Sequence, residues 1–512
     1  MRPAIVAPGD LSETYDVVVV GYGYAGGMAA IAAHDAGARV LILEKAATAG
    51  GISICSAGGV RYARSEAGVA AYLERTCAGT TPLPVLRVLA QAMAALPEQI
   101  RELAAINQAE VSVEAATANY PLEGYDSFGF VNVEAIPGFD PRQAYPHVRG
   151  SPNGALLFKV VADNVERRGI PVRYRSRAER LLLAPDGGLA GVELLSQNGR
   201  RQRIGARRGV ILAAGGFEAD PEMQRQYWAA GPALSAAYKL NTGDGIRMGQ
   251  GAGADLWHMW HYHGSYGYRH PDPTYPYAIR VKRLPDWRPG EGRQLPRMAW
   301  ILLDRSGRRF MNEYEPYLQD TGHRPLGEYD PVRQDYPRMP AFLVTDETGR
   351  KLYPLGRPTY NDPDIAFDWS EDNSAEIGLG IFTKTGDIDD LARAIGADVR
   401  GVRESIDAWN AACRAGQDDV FGRPASSMMA LAQPPFYVAQ VHPVVSNTQG
   451  GLVHDPAHRV LDAEGLPIAR LFAAGEITSV FGHLYLSGGN LAECFAGGRI
   501  AGRAAAAADP WQ

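Results

Sequence analysis

Short apolar runs that stop abruptly at glycine recur along this chain, and they predict buried strands more often than amphipathic ones. Tyr15–Val20 is rich in valine without regular polar alternation, as expected of a parallel strand covered on both faces. Gly21-Tyr-Gly-Tyr-Ala-Gly26 follows it, then an Ala-rich helix over Gly27–Ala36 and a second strand over Arg39–Leu43 that ends at Glu44. Gly209-Val-Ile-Leu-Ala-Ala-Gly-Gly216 is another strand running into paired glycines. Leu471-Phe-Ala-Ala-Gly-Glu476 has the same form near the far end, followed by Gly482-His-Leu-Tyr-Leu-Ser-Gly-Gly-Asn-Leu-Ala-Glu493, a Gly-rich turn and a helix start. Residues near 170–182 and 189–206 read as antiparallel strands about Asp186-Gly-Gly188.

The pattern changes near residue 256. Leu256–Trp300 is crowded with Trp, Tyr, His and Pro and keeps no period. Beyond it come strand-like pieces at Ala299–Asp304 and Ala341–Thr345, and helices at Ile388–Ile395, stopped by Gly396, and Val399–Ala415. After Pro434 the strand-and-glycine style returns, and Ala504–Ala508 reads as a helix end. The expected fold is α/β: a discontinuous Rossmann-like domain, 1–255 and 432–512, interrupted by an α+β cap over 256–431.

Composition narrows the class. The 512 residues are 46% hydrophobic and 21% charged, which suits a globular protein with a large core. A net charge of −6 over this length gives no case for nucleic acid or an anionic membrane. No apolar run approaches the roughly 18 residues that cross a bilayer, and Met1–Thr14 has no apolar core of a signal peptide. Cys55, Cys77, Cys413 and Cys494 are scattered, without metal, haem or disulfide spacing. A cytoplasmic protein is expected.

The first glycine cluster has the full context of a dinucleotide fingerprint: strand, GxGxxG, helix, second strand, acid. Gly21 permits the tight turn, Gly23 lets the backbone approach a pyrophosphate, and Gly26 lets helix and strand pack closely. The anion would sit at the helix N-terminus, where unpaired amides and the helix dipole favour it. Glu44 stands where an acid accepts ribose hydroxyls.

From Glu44 onward the chain resembles one flavoprotein family. Glu44-Lys45, Gly50-Gly-Ile-Ser53, Ser56-Ala-Gly-Gly59, Ala213-Ala-Gly-Gly-Phe217, Asn241-Thr-Gly-Asp-Gly245, Arg309-Phe-Met-Asn-Glu313, Asn447-Thr-Gln-Gly-Gly451 and Ala474-Gly-Glu476 occur in the order found in fumarate reductases, succinate dehydrogenase flavoprotein subunits and 3-ketosteroid dehydrogenases. The resemblance covers essentially the whole chain. It implies FAD, with the isoalloxazine between cofactor domain and cap. It also implies that Lys45, Gly51, Ser53, Gly58, Gly59, Ala178, Ala214, Gly215, Asn241, Asp244, Gly475, Glu476, Asn490 and Leu491 join Gly21, Gly23, Gly26 and Glu44 in holding the cofactor. Some relatives attach FAD to a histidine after the second strand; Thr48–Gly59 contains none, so non-covalent FAD is expected.

The family's two chemistries need different residues. Fumarate reductases hold two carboxylates with cations: an Arg four residues after the Glu of R-F-x-N-E, a His pair before T-x-G-G, and an Arg before the last G-G-N. This chain has Tyr317, Ser446-Asn447 and Tyr485-Leu-Ser487 in those places. A dicarboxylate desolvated without a cation is costly. The replacements resemble the 3-ketosteroid dehydrogenase branch, most like its 4,5-desaturating type. There a Tyr hydroxyl and a loop amide four residues on polarise a ketone, which implies Tyr485 and the Gly489 amide here. Ser487 matches a serine that also takes part, and Tyr317 a further tyrosine. The α-carbon is thereby acidified, a Tyr or Ser oxygen relays its proton, and the β-hydrogen leaves as hydride to flavin N5.

The resemblance thus implies α,β-dehydrogenation of a small apolar cyclic ketone, a 3-ketosteroid or smaller. The reverse reaction, reduction of an activated alkene such as an enone or unsaturated acid, uses the same groups and stays open. So does a flavin-carrying electron-transfer subunit. The external electron acceptor is unassigned. Trp257, Trp260, Tyr262, Tyr266, Tyr268, Tyr275 and Tyr277, with Tyr120, Tyr125, Phe128 and Phe130, suggest an aromatic-walled pocket. His258, His261 and His263 alternate with Trp and Tyr and lack a spaced carboxylate, so a wall or hydrogen-bonding role is expected and no metal.

Overall fold

The computed structural model describes residues 3–195, 199–281, 297–298, 300–314, 318–359, 362, 364–365 and 367–511. The chain divides into two compact units. One comprises Met1–Met223, Leu240–Tyr262 and Asn447–Gln512; the other comprises Gln224–Lys239 and His263–Ser446. The inserted unit extends past the expected 256–431 because the strand Phe436–Thr448 pairs antiparallel with Ala341–Asp346 and with Thr383–Thr385.

In the first unit the valine-rich run Glu13–Val20 is a central strand. It lies parallel to Val40–Leu43 on one side and to Arg201–Leu212 on the other. Burial on both faces explains its continuous apolar pattern, since Val17, Val18 and Val19 are fully buried. Pro467–Ala473 lies parallel to Arg201–Leu212 on that strand's far side, with Val210 opposite Leu471 and Leu212 opposite Ala473. The residues near 170–206 form the antiparallel extension Arg177–Leu183, Leu189–Leu195 and Arg201–Leu212. A separate antiparallel sheet of Val60–Ala63, Phe128–Ala135 and Glu110–Ala116 completes the framework.

The helices Tyr24–Asp35 and Gly489–Ala507 pack against each other at glycine. A Cβ on Gly498 would come within 2.6 Å of Ala25 O, and one on Gly502 within 2.3 Å of Ala29 O. Small side chains on both helices therefore set their close approach, and bring the middle of the last helix beside the start of the first.

Among the described residues the second unit is built on an eight-stranded sheet that includes Ile301–Leu303, Ala341–Asp346, Phe436–Thr448, Tyr262–Arg269 and Ala278–Val281. Ile388–Ile395 and Val399–Ala415 are helices with the bounds expected of them, each closed by a left-handed glycine, Gly396 and Gly416. Among the described residues no helix is long and apolar enough to cross a membrane.

Candidate active site

Three adjacent parallel strands of the first unit end in glycine-bearing turns on one edge. Ala213 N donates to Val20 O at 2.8 Å and Ala474 N to Leu212 O at 3.0 Å, so Val20-Gly21, Leu212–Gly215 and Ala473–Gly475 leave the sheet side by side. The carboxyl edge of a parallel sheet is where such folds place ligands.

Gly21 has φ +105°, and a Cβ there would meet Ala213 O at 2.3 Å. Gly26 packs its Cα over the turn: a Cβ would lie 2.0 Å from Gly21 O. Gly23 caps the helix Tyr24–Asp35 with no side-chain cap of its own, and the Ser53 hydroxyl accepts the Tyr24 amide at 3.0 Å. Gly58, at φ +78°, lies against the backbone of Asn153. Bare backbone and a helix N-terminus at a sheet's carboxyl edge fit a pyrophosphate, and these residues would hold that part of FAD.

Glu44 ends the second strand with its carboxylate turned back into the fold. Its Oε2 accepts the Tyr22 amide at 2.9 Å and its Oε1 the Ala46 amide at 2.7 Å. Burial pushes the Glu44 carboxyl up, and these amides pull against the rise. Each oxygen keeps a second lone pair for a ribose hydroxyl. Ser176 N donates to Glu44 O, which brings the strand bearing buried Ala178 beside it. Lys45 Nζ donates to Asp244 Oδ2 at 2.8 Å and Thr242 Oγ1 at 3.0 Å, and Arg177 donates to Asp244 Oδ1 at 2.9 Å. Lys45 and Asp244 thus hold one another.

Glu476 sits in a polar pocket of its own. Its Oε1 accepts the Thr448 amide at 2.8 Å, and its Oε2 accepts Asn241 Nδ2 at 3.3 Å. The same Asn241 Nδ2 donates to Glu218 Oε1 at 2.8 Å. Burial lifts the Glu476 carboxyl to about 7, and burial with the Glu476 charge raises that of Glu218. Gly215 and Gly216 are bare at this point, since a Cβ on Gly215 would meet the Asn241 side chain at 2.7 Å and one on Gly216 would meet Glu476 Oε1 at 2.6 Å.

The segment Ser479–Gly489 leads into the last helix. Tyr485 is buried, its ring edge-on to Phe481 with centroids 5.9 Å apart. Ser487 N donates to Asn119 Oδ1 at 2.7 Å and Ser487 O accepts Arg61 Nε at 2.8 Å. Its hydroxyl makes no hydrogen bond to any described residue. The Gly489 amide, expected to meet a ketone oxygen, donates to Leu486 O at 2.7 Å and is already used within the turn. Asn490 and Leu491 follow in the first helical turn, where amides lack intrahelical acceptors.

Behind that turn lies a buried network that sequence reasoning missed. Glu493 Oε1 accepts the Val480 amide at 2.6 Å, and its Oε2 accepts Asn490 Nδ2 at 2.7 Å and Ser479 Oγ at 3.2 Å. Asn490 Oδ1 in turn accepts from Asn447 and Gln449 at 3.1 Å each. Burial raises the Glu493 carboxyl to about 8. An acid four residues past the first residue of a helix, among apolar neighbours, was the available signal.

The histidines divide. His258 Nδ1 lies 3.2 Å from Ser479 O, and His261 Nδ1 lies 2.7 Å from Phe481 O, so both brace the segment before Tyr485. His263 belongs to the other unit and is buried there. Among the described residues no group of His, Cys, Asp and Glu is arranged to hold a metal ion. The aromatic wall needs correction: Tyr266 and Tyr268 are fully buried in the core of the second unit with Trp300 and Phe382, while Trp260 is exposed. Arg309 and Glu313 form a buried ion pair, joined by Asp418 and Arg423, that ties this unit together. Tyr317 lies outside the described residues.

Comparison with known proteins accords with this arrangement. The family model described as FAD binding domain matches residues 16–491. A fumarate reductase (cytochrome) of Shewanella frigidimarina is 27% identical over 96% of this chain and 77% of its own. A digoxin reductase of Eggerthella lenta is 28% identical over 99% of this chain and 90% of its own. In fold, the 3-ketosteroid delta1-dehydrogenase from Sterolibacterium denitrificans, solved with 1,4-androstadiene-3,17-dione, superposes with a TM-score of 0.78 at 22% identity, covering 96% of this chain and 99% of that one.

Proposed function

The chain belongs to the FAD binding domain family and is an FAD-dependent oxidoreductase of the fumarate reductase and 3-ketosteroid dehydrogenase superfamily, and we propose that it desaturates a cyclic ketone, a 3-ketosteroid or smaller, at the α,β-position. The observation that carries this reading is the Ser487 hydroxyl. The residue is held at the head of the last helix by both of its own peptide groups, yet its hydroxyl bonds to no described residue, two positions from Tyr485. No Lys or Arg occurs between Leu471 and Gly498, so this stretch offers a carboxylate nothing but neutral donors and His483.

Non-covalent FAD, held by the glycine turn at Gly21–Gly26 and by Glu44, would supply a two-electron oxidant for the β-hydrogen. The chain's residues do the rest. The Tyr485 hydroxyl donates to the ketone oxygen and lowers the pKa of the α-carbon. The Ser487 oxygen takes up the α-proton as its own hydroxyl proton passes to solvent. A neutral serine hydroxyl is a weak base, so withdrawal of charge by the ketone donor must come first. The first-turn amides of Asn490 and Leu491 and the dipole of the helix Gly489–Ala507 favour negative charge beside them.

Anaerobic mixing of the FAD-loaded protein with saturated 3-ketosteroids and cyclohexanone derivatives should bleach the oxidised-flavin absorbance. Silence across the panel, with reoxidation of the chemically reduced protein by enones, would instead assign alkene reduction. That second reading is favoured by the reductases among the similar proteins, which include a vinyl phenol reductase of Lactiplantibacillus plantarum.

A further inference from the structure

The peptide of Ser487 is gripped from two sides by segments far away in the chain. Arg61 Nε donates to Ser487 O at 2.8 Å, and Arg61 N donates to Gly488 O at 3.3 Å. On the other side Asn119 Oδ1 accepts the Ser487 amide at 2.7 Å. Gly488 has φ +76° and rests on the same support, since a Cβ there would lie 2.6 Å from Gly59 O and 2.8 Å from Phe130 Cε1.

The support is itself part of a sheet. Arg61 stands in the strand Val60–Ala63, opposite Phe130 of Phe128–Ala135. Its guanidinium lies 3.8 Å from the Phe130 ring centroid and 5.8 Å from that of Phe128, and the residue is 1% exposed. A cation so covered does not reach a substrate; it acts on the loop. Nε of a planar guanidinium stacked on an aromatic face donates from a place that a lysine ammonium cannot occupy.

We propose that Arg61 and Asn119 are positioning residues that fix the peptide of Ser487, so that its hydroxyl, which bonds to no described residue, is set to meet the substrate. The proposal rests on the desaturase reading for what that hydroxyl does, but the clamp is independent of it. Misplacement of a reacting group by about 1 Å costs on the order of 100-fold in rate.

The test has two arms on the FAD-loaded protein. In hydrogen–deuterium exchange, Arg61→Lys and Asn119→Leu should speed exchange across 484–490 at least about 10-fold while the strand Phe128–Ala135 stays protected. Unchanged exchange there overturns the clamp. In kinetics, either substitution should lower kcat about 10- to 100-fold with KM little moved, and Asn119→Asp, which keeps an acceptor, should recover most of the rate. In a Ser487→Ala background Arg61→Lys should cost less than about 3-fold more, because the group it positions is gone. A full additive loss would mark Arg61 as merely structural and overturn its role. If exchange responds but no ketone or enone reacts, the clamp stands and the desaturase reading falls.

Discussion

Glu218 and Glu476 share one donor: the Asn241 carboxamide reaches Glu218 Oε1 at 2.8 Å and Glu476 Oε2 at 3.3 Å. Two buried carboxyls this close do not both ionise, and burial raises both. Asn241→Leu keeps the volume but leaves both acids short of a donor. It should cost about 1–3 kcal/mol of stability, read as a lower thermal midpoint, together with weaker FAD retention on dilution.

Tyr485→Phe removes the proposed donor to the ketone and keeps the edge-on packing against Phe481. Stopped-flow reduction by an active ketone should slow by roughly 100-fold, with the protein's FAD content unchanged. Ser487→Ala should slow the same step by a similar factor without moving the thermal midpoint, since its hydroxyl bonds to no described residue.

Acid or heat denaturation should release FAD into the supernatant, with none retained on the precipitated polypeptide. The basis is the histidine-free segment Thr48–Gly59. Visible flavin colour in the washed pellet would contradict it.

Gly26→Ala should damage the cofactor cradle more than a surface glycine substitution does. The added methyl would sit 2.0 Å from Gly21 O, and backbone at both ends leaves little room for relief. Overpacking of this kind costs about 1–3 kcal/mol. The ratio of flavin to protein absorbance after gel filtration should fall, whereas Gly37→Ala, where a Cβ meets nothing within 4 Å, should retain the ratio despite its φ of +87°.

The cradle was legible in the sequence because its parts are local: strand, glycine turn, helix and acid fall within residues 15–44. The helices Ile388–Ile395 and Val399–Ala415 were legible for the same reason, as Asp387 and Asp398 cap them and glycines close them. The Ser487 clamp was not, because Arg61 and Asn119 stand 426 and 368 residues away and no local period reports such a pairing. The aromatic segment misled for a different reason. Tyr266 and Tyr268 are two apart on the strand Tyr262–Arg269, so they share a face, and that face is core. Read as a strand and not as a composition cluster, the segment would have pointed inward.

Glu493 should make the protein's stability depend on pH in a defined window. Its carboxyl is raised from the ordinary range to about 8 because it is buried, and the hydrogen bonds from Val480, Asn490 and Ser479 only partly offset that. The folded chain therefore holds a proton that the unfolded chain gives up near pH 4.5. Below that pH both states are protonated and the group is neutral in its effect. Between about 4.5 and about 8 the unfolded state binds fewer protons than the folded one, so stability falls as pH rises, by an amount on the order of a few kcal/mol. Above about 8 both states are ionised and the loss is complete. Glu493→Gln keeps a carbonyl to accept the Val480 amide and carries no titrating proton. Its unfolding midpoint should match the wild type near pH 5, exceed it near pH 8, and vary less between them. A wild-type midpoint that rises over this window, with Glu493→Gln parallel to it, would show that the carboxyl is ionised in the fold and that the Ser479–Asn490–Glu493 network holds a charge.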